Sequence, residues 1–324
     1  MPFRFELAEG RSLAEEASNI LREAWKPPVL DYSPAYVSWQ MAFPSEVTLP
    51  AAAAYDRGDL VGFAAATRRR LQSGPIELNA AVVSFVCVRP AWQGHGIAKG
   101  LYACLLRSLR DLEIPVITFA VPDSVGGNTL LRAYQAAGFE THSLGEYGNY
   151  AFISREDTKS GQWNVRPVEI LEPLTHVVRD LARRFPGVLW SAPDQAIFTH
   201  YLRDPRPRKL LLLEDANGRP CGCSFVVLSP IRTDRGIEEV VMFDTCWLPS
   251  DEPETLRQLL HASANLWPLP GNRRVIMCPN LSGFDEMTLR SAGARRTLAR
   301  FHGYLCSAHP GSGGLAQRTN LEVI

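Results

Sequence analysis

Two glycines, Gly94 and Gly96, stand between a β-branched apolar run and an amphipathic run. Neither carries a Cβ, so a phosphate can come close to the backbone there. The run before them, Val82 to Val88, reads as a strand buried on both faces. Pro90 ends that strand because it has no N–H to give to a ladder. The run after them places Ile97, Leu101, Cys104, Leu105, Ser108 and Leu109 at helical spacing. The first amides of such a helix point out of its end, where the helix dipole favours negative charge. Strand, glycine turn and helix N-terminus together make an anion site. Two phosphate motifs are excluded: no G-x-G-x-x-G opens a βαβ unit, and there is no G-x-x-x-x-G-K-[ST].

What the stretch does contain is Gln93, Gly96 and Ala98 in a Gln-x-x-Gly-x-Ala pattern, preceded by Val86, Val88 and Pro90. This resembles the pyrophosphate loop of the GCN5-related N-acetyltransferase (GNAT) superfamily. The resemblance implies an α/β fold with a mixed, mostly antiparallel sheet, and acetyl-coenzyme A as cosubstrate without a metal. By the same resemblance Gln93, Gly94, His95, Gly96, Ile97, Ala98 and Lys99 hold the pyrophosphate. The pantetheine arm lies along Val86, Cys87 and Val88. His95, inside the loop, is assigned to anion contact or solvent. A later run, GGNTLLRAYQAAGF, reads as a turn, a short helix and a stop at Gly138. Its Tyr134, Gly138 and Phe139 match the family in order and spacing, which makes Tyr134 the expected acid for the departing thiolate. The family's Asn position is filled by Gly127, and Asn128, one residue late, is the nearest equivalent contact.

Acyl transfer from a thioester needs a neutral amine, hence a base or a water wire to take its proton. It also needs a donor for the oxyanion, typically a backbone amide at a bulge of the central strand. Ala80 to Val88 contains no carboxylate. Ser84 could relay a water, and Glu77 and Glu46 are candidate bases. The segment VLDYSPAYVSWQMAF sets Tyr32, Tyr36, Trp39 and Phe43 on one helical face, which is either core packing or a pocket wall. In the resembled family this region shapes the acceptor site, so Tyr32, Tyr36 and Trp39, with Trp25 just upstream, are candidate acceptor-binding residues.

Composition narrows the partners. The chain has 324 residues, too many for one ordinary core, so two domains are expected. Lys+Arg and Asp+Glu are both 34, and no basic stripe appears, which argues against nucleic acid. Arg68-Arg69-Arg70 reads as a solvated strand end. No apolar stretch reaches membrane-span length, and the acidic N-terminal run is unlike a signal peptide. Seven cysteines, none in C-x-x-C and most in apolar runs, read as reduced core residues of a cytoplasmic protein, with no zinc spacing. A small-molecule or peptide amine acceptor and a monomer or homodimer are expected.

Landmarks recur at a period of about 160 residues: Gly62 with Gly222, Pro90 with Pro249, Gly138 with Gly293. The chain therefore reads as tandem copies over 1–156 and 163–307, joined by the polar linker Asp157 to Gln162, with a flexible tail over 308–324. In the first copy, Ala51 to Tyr55 and Leu60 to Thr67 form a hairpin, and Glu140 to Ile153 supplies two further strands. In the second copy Glu252, Thr255 and Arg257 stand where Gln93, Gly96 and Ala98 stand in the first. Its loop holds Asp251, Glu252 and Glu254 and no glycine, so this copy is expected to bind no coenzyme A. Two other classes stay open: an acyl-coenzyme A binder without turnover, and an interaction module whose glycine turn is only structural.

Overall fold

The computed structural model describes residues 3–44, 49–121, 124–154, 163–169, 172–184, 188–191, 194–248, 252–267, 274–278, 286–308 and 318–320. The candidate base Glu46, Asp251 of the acidic loop, the linker Asp157 to Gln162, and most of the tail lie outside these residues.

The first half runs β1 (Arg4–Glu9), α1 (Ala14–Ala24), β2 (Val29–Leu30), α2 (Pro34–Met41), β3 (Pro50–Asp56), β4 (Asp59–Ser73) and β5 (Ile76–Val88). It continues through α3 (Ile97–Asp111), β6 (Val116–Ala120), α4 (Val125–Ala136) and β7 (Glu140–Ser154). The second half repeats the order: β8 (Asn164–Val168), α5 (Glu172–Arg184), β9 (Val188–Ser191), α6 (Gln195–Leu202), β10 (Arg208–Glu214), β11 (Pro220–Thr233) and β12 (Gly236–Trp247). Then come α7 (Pro253–Ala264), β13 (Arg274–Cys278), α8 (Glu286–Ser291), β14 (Arg295–Ser307) and β15 (Arg318–Asn320). Capping side chains fix several starts. Ser33 accepts from the Tyr36 amide, Ser124 from Gly127, and Asp194 from Ala196 and Ile197.

Each half forms the expected mixed, mostly antiparallel sheet flanked by helices, and the two sheets join edge to edge into one of 15 strands. Along its main path the order is β1-β3-β4-β5-β6-β14-β7-β13-β12-β11-β10-β8. The last strand of each half has crossed over. β14 pairs with β6 of the first half, and β7 pairs with β13 of the second. Glu140 to Ser154 is thus one long strand rather than the two the sequence suggested. Its first part pairs with β14 and its last part with β13, so a single extended segment spans the seam. The hairpins also reach across: β11 pairs with β2, and β4 with β9. Three residues of the expected flexible tail, β15, lie parallel to β9.

Helices α1, α2, α5 and α6 cover one face and share a single core with Phe63, Phe85, Phe225 and Trp247. On the other face α3 and α4 cover the first half, and α7 and α8 the second. The shared core holds the stack of Trp39 on His200, with centroids 4.7 Å apart and planes at 3°. The Trp39 indole N–H donates to the His200 carbonyl at 3.0 Å. Beside it, Asp204 binds both Arg206 and Arg208 at 2.7 Å, and Arg208 reaches Asp244 at 2.6 Å. The network lies within the second half, and its Arg206 and Arg208 reach the first half over the rings of Tyr36 at 4.0 Å and Trp39 at 5.3 Å.

Burial, then the nearby Arg69 and Arg208, lowers the His200 pKa from 6.5 to about 3. Below pH 6.5 the unfolded chain takes up a proton that the folded chain refuses. Stability should therefore fall as pH drops from 6.5 toward 3. Urea unfolding at pH 7 and pH 5 should show a smaller pH-dependent loss in His200→Phe than in the native chain. Equal losses would contradict this role.

Candidate active site

β5 and β6 run parallel, but only Ala81↔Val116 and Val82↔Ile117 pair. Beyond those pairs β5 continues to Val88 and β6 to Ala120, so a wedge opens between them. On the β4 side of β5, Ala65 faces Ser84 and Phe63 faces Cys87, so β5 holds one extra residue there. This bulge contains Phe85 with φ of 56°, a left-handed conformation that few residues with a side chain adopt. A bulge tilts backbone amides out of the ladder, where they can face a ligand.

The strand then passes into the glycine turn. Gly94 and Gly96 have φ of 83° and 79°, and Gly96 is the N-cap of α3. A Cβ on either would meet no heavy atom within 4 Å, so space lies open in front of both. Gln93 is exposed, and its side-chain amide donates to the Val88 carbonyl at 3.1 Å, tying the loop to the strand end. His95 is also exposed, and its Nδ1 donates to the Gln93 carbonyl at 3.0 Å. Ile97 is buried, Ala98 is half-buried, and Lys99 is exposed at the helix start.

α3 sits close on the sheet because two contact positions are glycines. A Cβ on Gly62 would come within 2.9 Å of Ile97 and 3.1 Å of Leu101, and one on Gly100 would strike the Phe5 ring. The free amides of α3 are thereby held against the end of β5.

Tyr134 lies on the same face in α4, fully buried, edge-on to Phe139 at 5.8 Å. Its hydroxyl is buried beside Thr118 of β6 and Cys306 of β14. Burial, then Cys306, pushes its pKa well above the tyrosine range, so the proton stays on. A tyrosine titrating near pH 10 is therefore not what the structure contains. Asn128 is exposed in the first turns of α4, and its amide is spent on the Ser124 carbonyl at 3.0 Å.

Other sequence candidates separate. The Ser84 hydroxyl is buried without a partner, beside the bulge. Glu77 is at the far end of β5, ion-paired with Arg70 at 3.5 Å. Seven residues of strand put it roughly 24 Å from Ser84, so the structure does not bring these two together. Tyr36 and Trp39 are interior, under Arg206 at 4.0 Å and Arg208 at 5.3 Å respectively, in the core shared by the halves. The aromatic face is thus mainly core packing. Only Tyr32, edge-on to Phe85 at 5.9 Å and to Trp25 at 5.0 Å, links it to the bulge.

The second half repeats the short parallel pairing and the bulge. β12 and β13 pair only at Val241↔Ile276 and Met242↔Met277, and β12 holds an extra residue between Phe243 and Cys246. Asp244, in that bulge, is spent on Arg208. At the start of α7 the Trp163 indole donates to Thr255 at 3.0 Å, and Glu254 binds Arg257 at 2.6 Å.

Residues 14–139 match the model of the Acetyltransferase (GNAT) family. Among solved structures, N-myristoyltransferase of Saccharomyces cerevisiae with bound myristoyl-CoA is similar over 100% of this chain and 86% of its own, with a TM-score of 0.70 at 12% identity. A GCN5-related N-acetyltransferase from Anabaena variabilis aligns over 94% of this chain and 73% of its own, with a TM-score of 0.58 at 17% identity. A probable N-acyltransferase of Enterococcus faecalis, covering 94% and 72%, has a TM-score of 0.56 at 12% identity. No curated protein matches the sequence. At these identities the structures establish the fold. The family match places a GNAT-type acetyltransferase domain in the first half of the chain.

If the glycine turn holds the pyrophosphate, Gly96→Asp places a carboxylate against it and strains a left-handed position. Calorimetry should then show coenzyme A binding lost while the circular dichroism spectrum persists. Unchanged affinity would refute the loop assignment.

Proposed function

We propose that this chain transfers an acetyl group from acetyl-coenzyme A to an amine of a small molecule or peptide. The observation that carries this is the β5–β6 wedge, continuous with the glycine turn at the start of α3 and flanked by the buried Tyr134. In this reading the amides from Gly94 to Lys99 hold the pyrophosphate, with Gln93 and His95 beside them. The pantetheine arm pairs with the free edge of Val86, Cys87 and Val88 as an added strand. The thioester carbonyl then reaches the bulge, whose amides are positioned to accept negative charge.

The neutral amine attacks that carbonyl, and its proton passes to water, with Ser84 as the relay at the bulge. The tetrahedral intermediate collapses to the amide, the C–S bond breaks, and Tyr134 protonates the sulfur. Burial keeps the Tyr134 proton on, so the acid is in the right state when the thiolate forms. The same shift lowers its driving force to give the proton up. Cys87 is the nucleophile nearest this path. Burial pushes its thiol well up, which favours direct transfer over an acyl-cysteine intermediate.

The second half, in this reading, takes no coenzyme A. Acids flank its α7 terminus, and Trp163 engages that helix's first turn. Titration should give one coenzyme A per chain, unchanged in the Glu252→Gln, Glu254→Gln double variant. No disulfide joins Cys87, Cys104, Cys221, Cys223, Cys246 or Cys306, and no described helix is long and apolar enough to cross a membrane. A second reading, binding without turnover, is favoured by the distance of Glu77 from the bulge.

Tyr134→Phe tests the chemistry. It keeps the ring and removes only the hydroxyl, so stability and coenzyme A affinity should hold while turnover falls by roughly ten- to ten-thousand-fold. The high-pH limb of the native rate profile should carry no step near pH 10, because Tyr134 stays protonated there. Native turnover in the variant would end the acid assignment.

A further inference from the structure

Phe85 is the feature of the site that acyl transfer as described does not use. Ala81 and Val83 belong to the core beneath α3, whereas Val82 lies in a cluster on the opposite face. Strand alternation puts Ser84 on the same side as Val82. The bulge then turns Phe85 to that side too, into the core shared with α1 and α2. Two consecutive side chains thus face the same way at the point where the wedge opens.

The ring is held firmly. Phe85 is 2% exposed, edge-on to Tyr32, which is itself edge-on to Trp25 and tilted against Tyr36 at 6.1 Å. The backbone beneath it is in a left-handed conformation that glycine would adopt freely and an aromatic residue adopts under strain. Packing of Phe85 against Tyr32 is what holds that conformation. A group that leaves the wedge on the Ser84 side enters the core that this ring helps to fill. An acetyl methyl can stop short of it, but a longer chain must displace a packed aromatic or leave the path.

We propose that Phe85 is a specificity-determining residue that limits the donor to short acyl groups, with Tyr32 as its support. This rests on the acyl-transfer reading above.

The test is binding of acetyl-, butanoyl- and octanoyl-coenzyme A to the full-length native chain, measured by calorimetry, and needs no acceptor. The native chain should bind acetyl-coenzyme A at least roughly tenfold more tightly than octanoyl-coenzyme A, in line with discrimination against methylenes that a filled pocket cannot take. In Phe85→Leu and in Phe85→Gly that preference should shrink by about tenfold. Leucine keeps most of the packing, so at least one variant retains a folded state, checked by its thermal melt. A native chain that prefers octanoyl-coenzyme A, or a preference equal in native and folded variants, overturns the role of Phe85 alone. No binding of any acyl-coenzyme A overturns the acyl-transfer reading, and this inference with it.

Discussion

The site depends on a wedge held open from its two outer sides. Beyond Val82, β5 is paired with β4 alone, through Ser84, Cys87 and Val88. β6 is paired with β14, whose His302, Gly303 and Tyr304 sit opposite Ala120, Phe119 and Thr118, the residues that have left β5. Each flanking strand therefore satisfies its far edge without closing the gap. β14 belongs to the second half of the chain, so the first half's wedge exists in this form only because the second half lends a strand to it. The same strand brings Cys306 beside Tyr134.

This exchange gives the second half a structural purpose. Its own bulge and short parallel pairing repeat those of the first half. Asp244 at its bulge has become part of the buried Asp204–Arg206–Arg208 network, and the first turn of α7 is engaged by Trp163. These contacts brace the second half internally. The aromatic face of α2 joins the halves, with Trp39 stacked on His200.

The glycine turn, the helix it opens and the repeated landmarks were legible because they depend on local chemistry. Gly96 must be left-handed and Pro90 must end a strand, whatever the rest of the chain does. The crossed strands were not legible. Nothing in the composition of β7 or β14 says which neighbour it will pair with, because both edges of a buried strand look alike. β2 and β15, of two and three residues, carry too little pattern to read. The positive φ of Phe85 was invisible, since residue type does not mark an aromatic for a left-handed conformation. Glu77 misled because closeness in sequence along an extended strand is distance in space. Tyr36 and Trp39 misled because a pocket wall and an inter-half core draw on the same residues. The buried network did leave a trace, in the alternating Asp204-Pro-Arg206-Pro-Arg208 run.

The central claim is that the wedge carries out acyl transfer to an amine. Its most direct test is thiol release from acetyl-coenzyme A by the native chain across a panel of small-molecule and peptide amines, with products weighed by mass spectrometry. The account predicts that at least one amine class drives thiol release, matched one to one by an N-acetyl product. Saturable binding of coenzyme A with no amine-dependent thiol release across the panel would contradict it and leave the chain an acyl-coenzyme A binder.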